Sequence, residues 1–411
     1  MSAHVATVLG LVVMFAAATA LPVNMGAIGL AAAFIIGTLS VGMTAAQILA
    51  GFPGDLFVTL VGITYLFAIA QNNGTVDLIV HYGVKATGGR VAVIPWVMFF
   101  VTALLTAIGA VSPGAVAIIA PIALRFASRH GINPMLMGLM VIHGAQGGGF
   151  SPISIYGGIT NQVVERAGLA GNETFLFLAS LGFNLAVAIA ISFVFKSDPA
   201  KVKAAAAEVK TGAGKLTAER GLTLLALLAL GVSALVFELN VGFVAITAAV
   251  VLALVFPKAQ KGAVEKAAWS TVLLICGVIT YINVLQKAGT VDWIGQGAAH
   301  MGLPLLAVLL LCYVAGIVSA FASSVGVLGA TIPLAVPLLT QGQLSAAGVV
   351  AAIAVSTTIV DVSPFSTNGA LVLANIETAD RERFLKVMLL YSGIVTVVGP
   401  LLAWLLFVVP G

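Results

Sequence analysis

The sequence predicts an all-α polytopic membrane protein made of two inverted repeats, each with about five transmembrane helices plus one re-entrant hairpin, and with helices broken at Ser-Pro motifs. Composition, duplication and charge placement carry that expectation. Apolar residues make up 61% of the 411 and charged residues 8%, against the roughly 25% charge of soluble domains. A soluble protein of this size has no interior large enough to hide so much apolar surface. Duplication shows at one offset. Ser151-Pro152-Ile153-Ser154 returns 212 residues later as Ser363-Pro364-Phe365-Ser366, Pro121 as Pro333, and Ser112-Pro113-Gly114 as Ser324-Val325-Gly326. Gly74-Thr75-Val76-Asp77 returns as Gly289-Thr290-Val291-Asp292 at an offset of 215. The chain divides accordingly into a first repeat at 1–196, a linker at 197–220 and a second repeat at 221–411.

Apolar runs suited to the ~30 Å hydrocarbon core fall at 5–21, 23–39, 56–70, 135–156, 175–195, 222–237, 241–256, 271–285, 348–373 and 385–409. Two hairpin-like segments, 91–126 and 303–339, lie among them. Residues 5–20 end in Ala18-Thr19-Ala20 like a secretory cleavage site, but no Lys or Arg precedes them, so they are expected to remain as the first crossing. With an odd number of crossings per half and each hairpin returning to its own side, sixteen of the eighteen Lys and Arg share one face. These are Lys85, Arg90, Arg125, Arg129, the linker cations from Lys196 to Arg220, Lys258, Lys261, Lys266, Arg381, Arg383 and Lys386; Arg166 and Lys287 fall opposite. That bias predicts a multi-pass plasma-membrane protein, with a bacterial inner membrane the expected home, the linker cytoplasmic and both termini external. The odd count also turns the second copy upside down relative to the first. The net charge of +4 thus reports orientation in the lipid bilayer and gives no ground for a nucleic-acid partner.

The second arm of the first hairpin, from Gly114 to the charge at Arg125, is shorter than the ~17 residues a span requires. It is expected to turn back inside the membrane, with its tip at Ser112-Pro113-Gly114 and the counterpart tip at Ser323-Ser324-Val325-Gly326. In 135–156, Gly144, Gly147, Gly148 and Gly149 run into Ser151-Pro152, which weakens the helix and deletes a backbone donor. A new half-helix is expected after Pro152 with Ser151 near its N-cap, and Ser363-Pro364 repeats this from the other direction. Unwound backbone at bilayer depth survives only where it is buried in protein or lines a cavity, so matched breaks point to a transporter's binding site. Helix N-termini converging there suit an anion. No Lys or Arg is expected in the cavity, so hydroxyls, amides and helix ends would hold a carboxylate, with a cation close by. A multiply charged anion entering alone against an inside-negative potential loses ~2.3 kcal/mol per charge per 100 mV; coupling to Na+ or H+ offsets this.

Substrate contacts are expected from Ser112, Gly114, Ser151, Ser154, Tyr156, Ser324, Gly326, Ser363, Ser366, Thr367 and Asn368. Na+ contacts are expected from Ser112, Gly148, Gly149, Ser324 and Asp361, where hydroxyl, carbonyl and carboxylate oxygens suit a hard cation. Asp361 is the one carboxylate read as deep in the membrane, and can ligate Na+, carry a proton, or bond backbone amides at the break. Thr160 and Asn161 follow the first break and serve either substrate or helix–helix hydrogen bonding. His143 and Gln146 read as packed, hydrogen-bonded residues, with a relay through His143 the alternative, Asp77 and Asp292 as helix caps, and Cys276 and Cys312 as small packing residues. No His-Glu-x-x-His motif or nucleophile elbow appears, which disfavours an enzyme.

The hairpin tip, the arm with Pro121, the Gly-rich break and Ser-Pro-Ile-Ser-Ile-Tyr-Gly-Gly-Ile-Thr-Asn at 151–161 resemble the malonate/dicarboxylate carrier family of MatC type, within the ion-transporter superfamily that includes the divalent anion:sodium symporters. The resemblance implies a homodimer with a scaffold domain and a moving transport domain, elevator-like alternating access, and Na+-coupled uptake of a malonate-like dicarboxylate. Those symporters usually carry Ser-Asn-Thr at both tips, where this chain has Ser112-Pro113-Gly114 and Ser324-Val325-Gly326; only the tip serines and the Ser-Pro breaks carry over. The expectation is a cation symporter importing a small dicarboxylate. An H+-coupled carboxylate transporter and a cation:proton exchanger resting on Asp361 are the alternatives.

Overall fold

The structure, a computed structural model, describes residues 2–86, 90–197, 215–237, 239–291, 293, 304–321, 324–339, 344–376 and 381–410. Asp292, Ser323 and linker residues 198–214 lie outside the described residues. Every regular element among those described is helical. The first half runs α1 (Ala3–Ala20), α2 (Met25–Ile36), α3 (Ala45–Leu49), α4 (Gly54–Asn72), α5 (Thr75–Lys85), α6 (Ile94–Ala107), α7 (Ser112–His130), α8 (Pro134–Gly148), α9 (Ile155–Arg166) and α10 (Glu173–Val194). The second runs α11 (Ala218–Leu235), α12 (Val241–Val255), α13 (Pro257–Gln260), α14 (Trp269–Lys287), α15 (Pro304–Ser319), α16 (Ser324–Leu339), α17 (Ala346–Ile359), α18 (Thr367–Ala374) and α19 (Arg381–Phe407). The duplicated motifs therefore fold into duplicated elements: the α6/α7 hairpin matches α15/α16, and the broken pair α8/α9 matches α17/α18.

Among the described residues, five segments are long and apolar enough to cross a membrane: α4, α10, α14, α19 and the broken run Ala346–Ala374. Leu178, Ile189 and Phe193 on α10, and Leu390, Val397 and Leu406 on α19, lie exposed, as a helix apolar on its outer side requires when lipid is its solvent. In contrast, α8 is buried from Met135 onward, and α17 is buried from Gly348 onward. The broken helices thus form the centre of the molecule, wrapped by the hairpins and by α10 and α19.

The halves are woven together. Helix α2 crosses α14, and α4 crosses α12, each at a contact where only glycine fits. A Cβ on Gly277 would stand 1.9 Å from the Gly26 carbonyl oxygen, and one on Gly62 would stand 2.5 Å from the Gly242 carbonyl oxygen. Absent side chains let the backbones close to dispersion contact, which drives helix association where lipid removes the hydrophobic difference. The broken helices cross over as well, with α9 packing on α16 and α18 on α7. At the first helix, Tyr281 donates its hydroxyl to the Thr7 carbonyl at 2.7 Å, so α1 belongs to the packed body.

Three local expectations change. Helix α7 continues past Arg125 to His130 with Pro121 inside it, so the hairpin's second arm is longer than the charge at Arg125 implied. The first broken run extends beyond Tyr156 to Arg166. Asp77 sits in the first turn of α5, while Asn73 supplies the acceptor for the Thr75 amide at 3.0 Å; asparagine before a Gly offers the shorter reach. Filling a glycine crossing tests the weave. Gly277→Val is expected to destabilise by ~1–3 kcal/mol through overpacking, read as a lower melting temperature of the purified protein, whereas Gly182→Val, whose added Cβ has nothing within 4 Å, should melt near wild type.

Candidate functional site

The two breaks are the same structure built twice. In the first, the Ser154 hydroxyl is directed at the carbonyls of Gly149 (2.5 Å) and Ser151 (2.6 Å) and accepts from the Gly157 amide at 3.1 Å. In the second, the Ser366 hydroxyl is directed at the carbonyls of Asp361 (2.6 Å) and Ser363 (2.7 Å) and accepts from the Gly369 amide at 3.3 Å. Ser151 and Ser363 each accept from the amide two residues on, at 3.3 Å and 3.2 Å. The following glycine is obligatory, because a Cβ on Gly157 or Gly369 would stand 2.0 Å or 1.9 Å from the carbonyl of Ser151 or Ser363. The N-caps of α9 and α18 are thus Ser154 and Ser366, which corrects the expectation for Ser151. The chain needs two more residues after the proline to turn before helical geometry resumes.

A cavity of about 430 Å³ lies where these elements meet. Four helix N-termini open onto it: α7 through Pro113 and Gly114, α9 through Tyr156, α16 through Ser324 and Val325, and α18 through Thr367 and Asn368. No side chain caps α7, whose flanking residue is Val111, and an added Cβ on Gly114 would meet nothing. Even a capped helix leaves first-turn amides without intrahelical partners, so the convergence polarises the cavity positively. The far wall belongs to α4 and the start of α14, with Thr64, Phe67, Gln71, Ser270 and Thr271, and to Lys266. Lys266 overturns the expectation of a cavity free of basic side chains. Its ammonium is held by the Asn72 side-chain oxygen at 2.5 Å, and Asn72 is itself anchored to the Ala259 carbonyl at 2.8 Å.

Asp361 stands in the cavity wall, 5% exposed. The Ser324 hydroxyl donates to its carboxylate, and Ser319 donates to Ser324 at 2.8 Å. Among the described residues Asp361 makes no ion pair. At the corresponding place in the first repeat stands Gly149, and Ala107 stands where Ser319 does, so only one of the two tip-and-break corners carries a carboxylate. The other tip is tied across the halves: the Asn368 amide donates to Ser112 at 2.9 Å.

Of the residues expected to contact substrate, Gly114, Tyr156, Ser324, Thr367 and Asn368 line the cavity, and Ser112 lies behind Asn368. Ser151, Ser154, Ser363 and Ser366 lie outside the wall and serve the breaks. Gly326 packs toward Met25 of α2 and Leu274 of α14. Gly148 and Gly149 also lie off the cavity; Gly148 is pressed against the Ala103 carbonyl, where a Cβ would stand at 1.9 Å. His143 is buried between Asn184 (3.0 Å) and the Tyr391 hydroxyl (2.7 Å), and Gln146, Thr160 and Asn161 are likewise off the cavity. Cys276 and Cys312 are free and buried. Sequence reasoning missed Lys266, Gln71, Ser270 and Thr271, which join the site only because α4 and α14 fold beside the tips.

A membrane-embedded chain, helical throughout its described regular elements, whose paired broken helices bring hydroxyls, amides and a carboxylate to one cavity belongs to the class of multi-pass transporters. Residues 1–149 match the family described as dicarboxylate carrier protein MatC N-terminus, and residues 234–409 match the citrate transporter family; together these matches support a MatC-type dicarboxylate carrier in the ion-transporter superfamily. The fold is similar to that of the YdaH transporter of Alcanivorax borkumensis, whose crystal structure is described as revealing an unusual topology, with a TM-score of 0.60 over 87% of this chain and 86% of that chain at 16% identity. No curated protein sequence matches the chain. The break geometry is tested by the caps. Ser366→Ala is expected to lower stability by ~1 kcal/mol, the usual value of an N-cap, and Gly369→Ala by more, both read by thermal unfolding; an unchanged Gly369→Ala protein would refute the break as described.

Proposed function

We propose that the chain is a secondary active transporter importing a small, malonate-like dicarboxylate by cation symport, with Na+ as the coupling ion and elevator-type alternating access in a homodimer. Both termini lie outside and the linker inside. The observation that supports this most is the meeting of four helix N-termini with one buried carboxylate in a single cavity. One carboxylate of the substrate takes the hydroxyls of Tyr156 and Thr367, the second N–H of the Asn368 side chain and the backbone amide of Ser324, whose hydroxyl is engaged with Asp361. The other is drawn to Lys266 at the rim, whose ammonium Asn72 orients.

Na+ fits one corner better than the other. Asp361 and Ser324 supply hard oxygen donors of the kind that cation takes, and a bound Na+ would neutralise a carboxylate that burial otherwise penalises. Ser112, Gly148 and Gly149 bring no carboxylate, and the Gly149 carbonyl already accepts the Ser154 hydroxyl. Sodium therefore belongs with Asp361. The isolation of Asp361 from basic partners also favours a second reading, H+-coupled carboxylate transport or cation:proton exchange, in which the same carboxylate carries the proton.

Proteoliposome uptake separates these readings. Malonate accumulation should follow an imposed Na+ gradient, with Asp361→Asn abolishing the dependence; accumulation that ignores Na+ and follows a pH gradient would transfer the coupling to H+. Asn368→Ala and Lys266→Gln should each weaken malonate binding on the order of tenfold, as for loss of a hydrogen bond to a charged group, measured by calorimetry on the purified proteins. Wild-type affinity in both would remove the substrate from this cavity.

A further inference from the structure

A second cavity, of about 970 Å³, shares no lining residue with the first. It opens where five elements end or begin: the last turns of α7, the start of α8, the residues after α10, the end of α18 and the first turns of α19. Three cations from three different elements line it, Arg125, Lys196 and Arg383. Among the described residues none of the three forms an ion pair. The positive bias of a cytoplasmic face accounts for the side on which such residues lie, but not for their convergence on one cavity.

The rest of the wall mixes polar residues, Ser128, Asn133, Ser197 and Asn375, with apolar ones, Phe195, Phe384 and Val387 among them. Phe195 meets Tyr391 at 6.2 Å between ring centroids, which joins the end of α10 to α19. The exposed apolar side chains Phe193 and Val194 on α10 and Leu390 on α19 continue outward from this rim along the lipid-facing surface. A cavity that gathers three cations and several polar side chains together with aromatic and aliphatic ones, next to exposed apolar helix surface, matches a phosphate with acyl chains attached. A free phosphate would make no use of Phe195, Phe384 and Val387.

We propose that this cavity binds the phosphate headgroup of an anionic glycerophospholipid, with Arg125, Lys196 and Arg383 around the phosphate and the acyl chains against α10 and α19. Basic pockets between helices on the cytoplasmic side are suited to such headgroups. The site is independent of the substrate cavity and of the coupling ion.

The test uses the purified full-length protein in neutral detergent, with short-chain phosphatidylglycerol, short-chain phosphatidylcholine and inorganic phosphate as separate probes of thermal stability. Phosphatidylglycerol should raise the melting temperature in a saturable way, and neither other probe should match it at equal concentration. In Arg125→Gln and Arg383→Gln the apparent affinity should fall by roughly fivefold each, as expected for one basic residue near an anionic headgroup, while Arg125→Lys and Arg383→Lys retain most of it. Both Gln variants should melt as wild type without lipid and bind malonate as wild type. Equal stabilisation by phosphatidylcholine, stabilisation by inorganic phosphate alone, or phosphatidylglycerol affinity unchanged in the double Gln variant would each overturn the proposal.

Discussion

A helix that stops inside a bilayer strands carbonyls and amides that no water can reach, and each one left bare is costly. Everything distinctive here depends on how two stops are made tolerable. Ser154 and Ser366 turn their hydroxyls back onto two carbonyls of their own turn while accepting one amide of the half-helix that follows. With the break closed on itself, α9 and α18 can begin at depth and aim their first turns at a common cavity. The tips of α7 and α16 join them, each supported by the other half's broken helix, and α4 with the start of α14 closes the far wall.

Much of this was legible in the sequence because duplication is a local signal. The offset between Ser151 and Ser363 located the breaks, and Asp361 stood out as a carboxylate in an apolar run. The cap was misassigned by three residues, since a serine before proline reads as an N-cap whenever the proline is taken as the first helical residue. What separates Ser151 from Ser154 is a turn whose existence depends on the carbonyls it must satisfy. Lys266 was hidden for another reason. As one of several cytoplasmic cations it read as an orientation marker, and only the placing of α4 against the loop before α14 brings it to the rim. Gly26, Gly62, Gly242 and Gly277 gave no signal at all, because their partners lie in the opposite half.

Duplication also makes the departures from symmetry informative. The two breaks agree within 0.2 Å in their equivalent hydrogen bonds, yet glycine at 149 faces aspartate at 361, and Ala107 faces Ser319. One copy has a neutral corner, and the other a carboxylate with a two-hydroxyl chain leading to it. Architecture is shared, and charge belongs to a single copy.

The tie between Ser112 and Asn368 joins residues 256 positions apart. At synthesis rates of roughly 5–20 residues per second, the first tip is made ten to fifty seconds before its partner exists. For that interval a proline-led turn and an uncapped helix start must wait in an unfinished protein, shielded by translocation machinery or neighbouring lipid headgroups. Maturation of this chain is therefore paced by the ribosome, and its first half emerges with an address that only the second can fill.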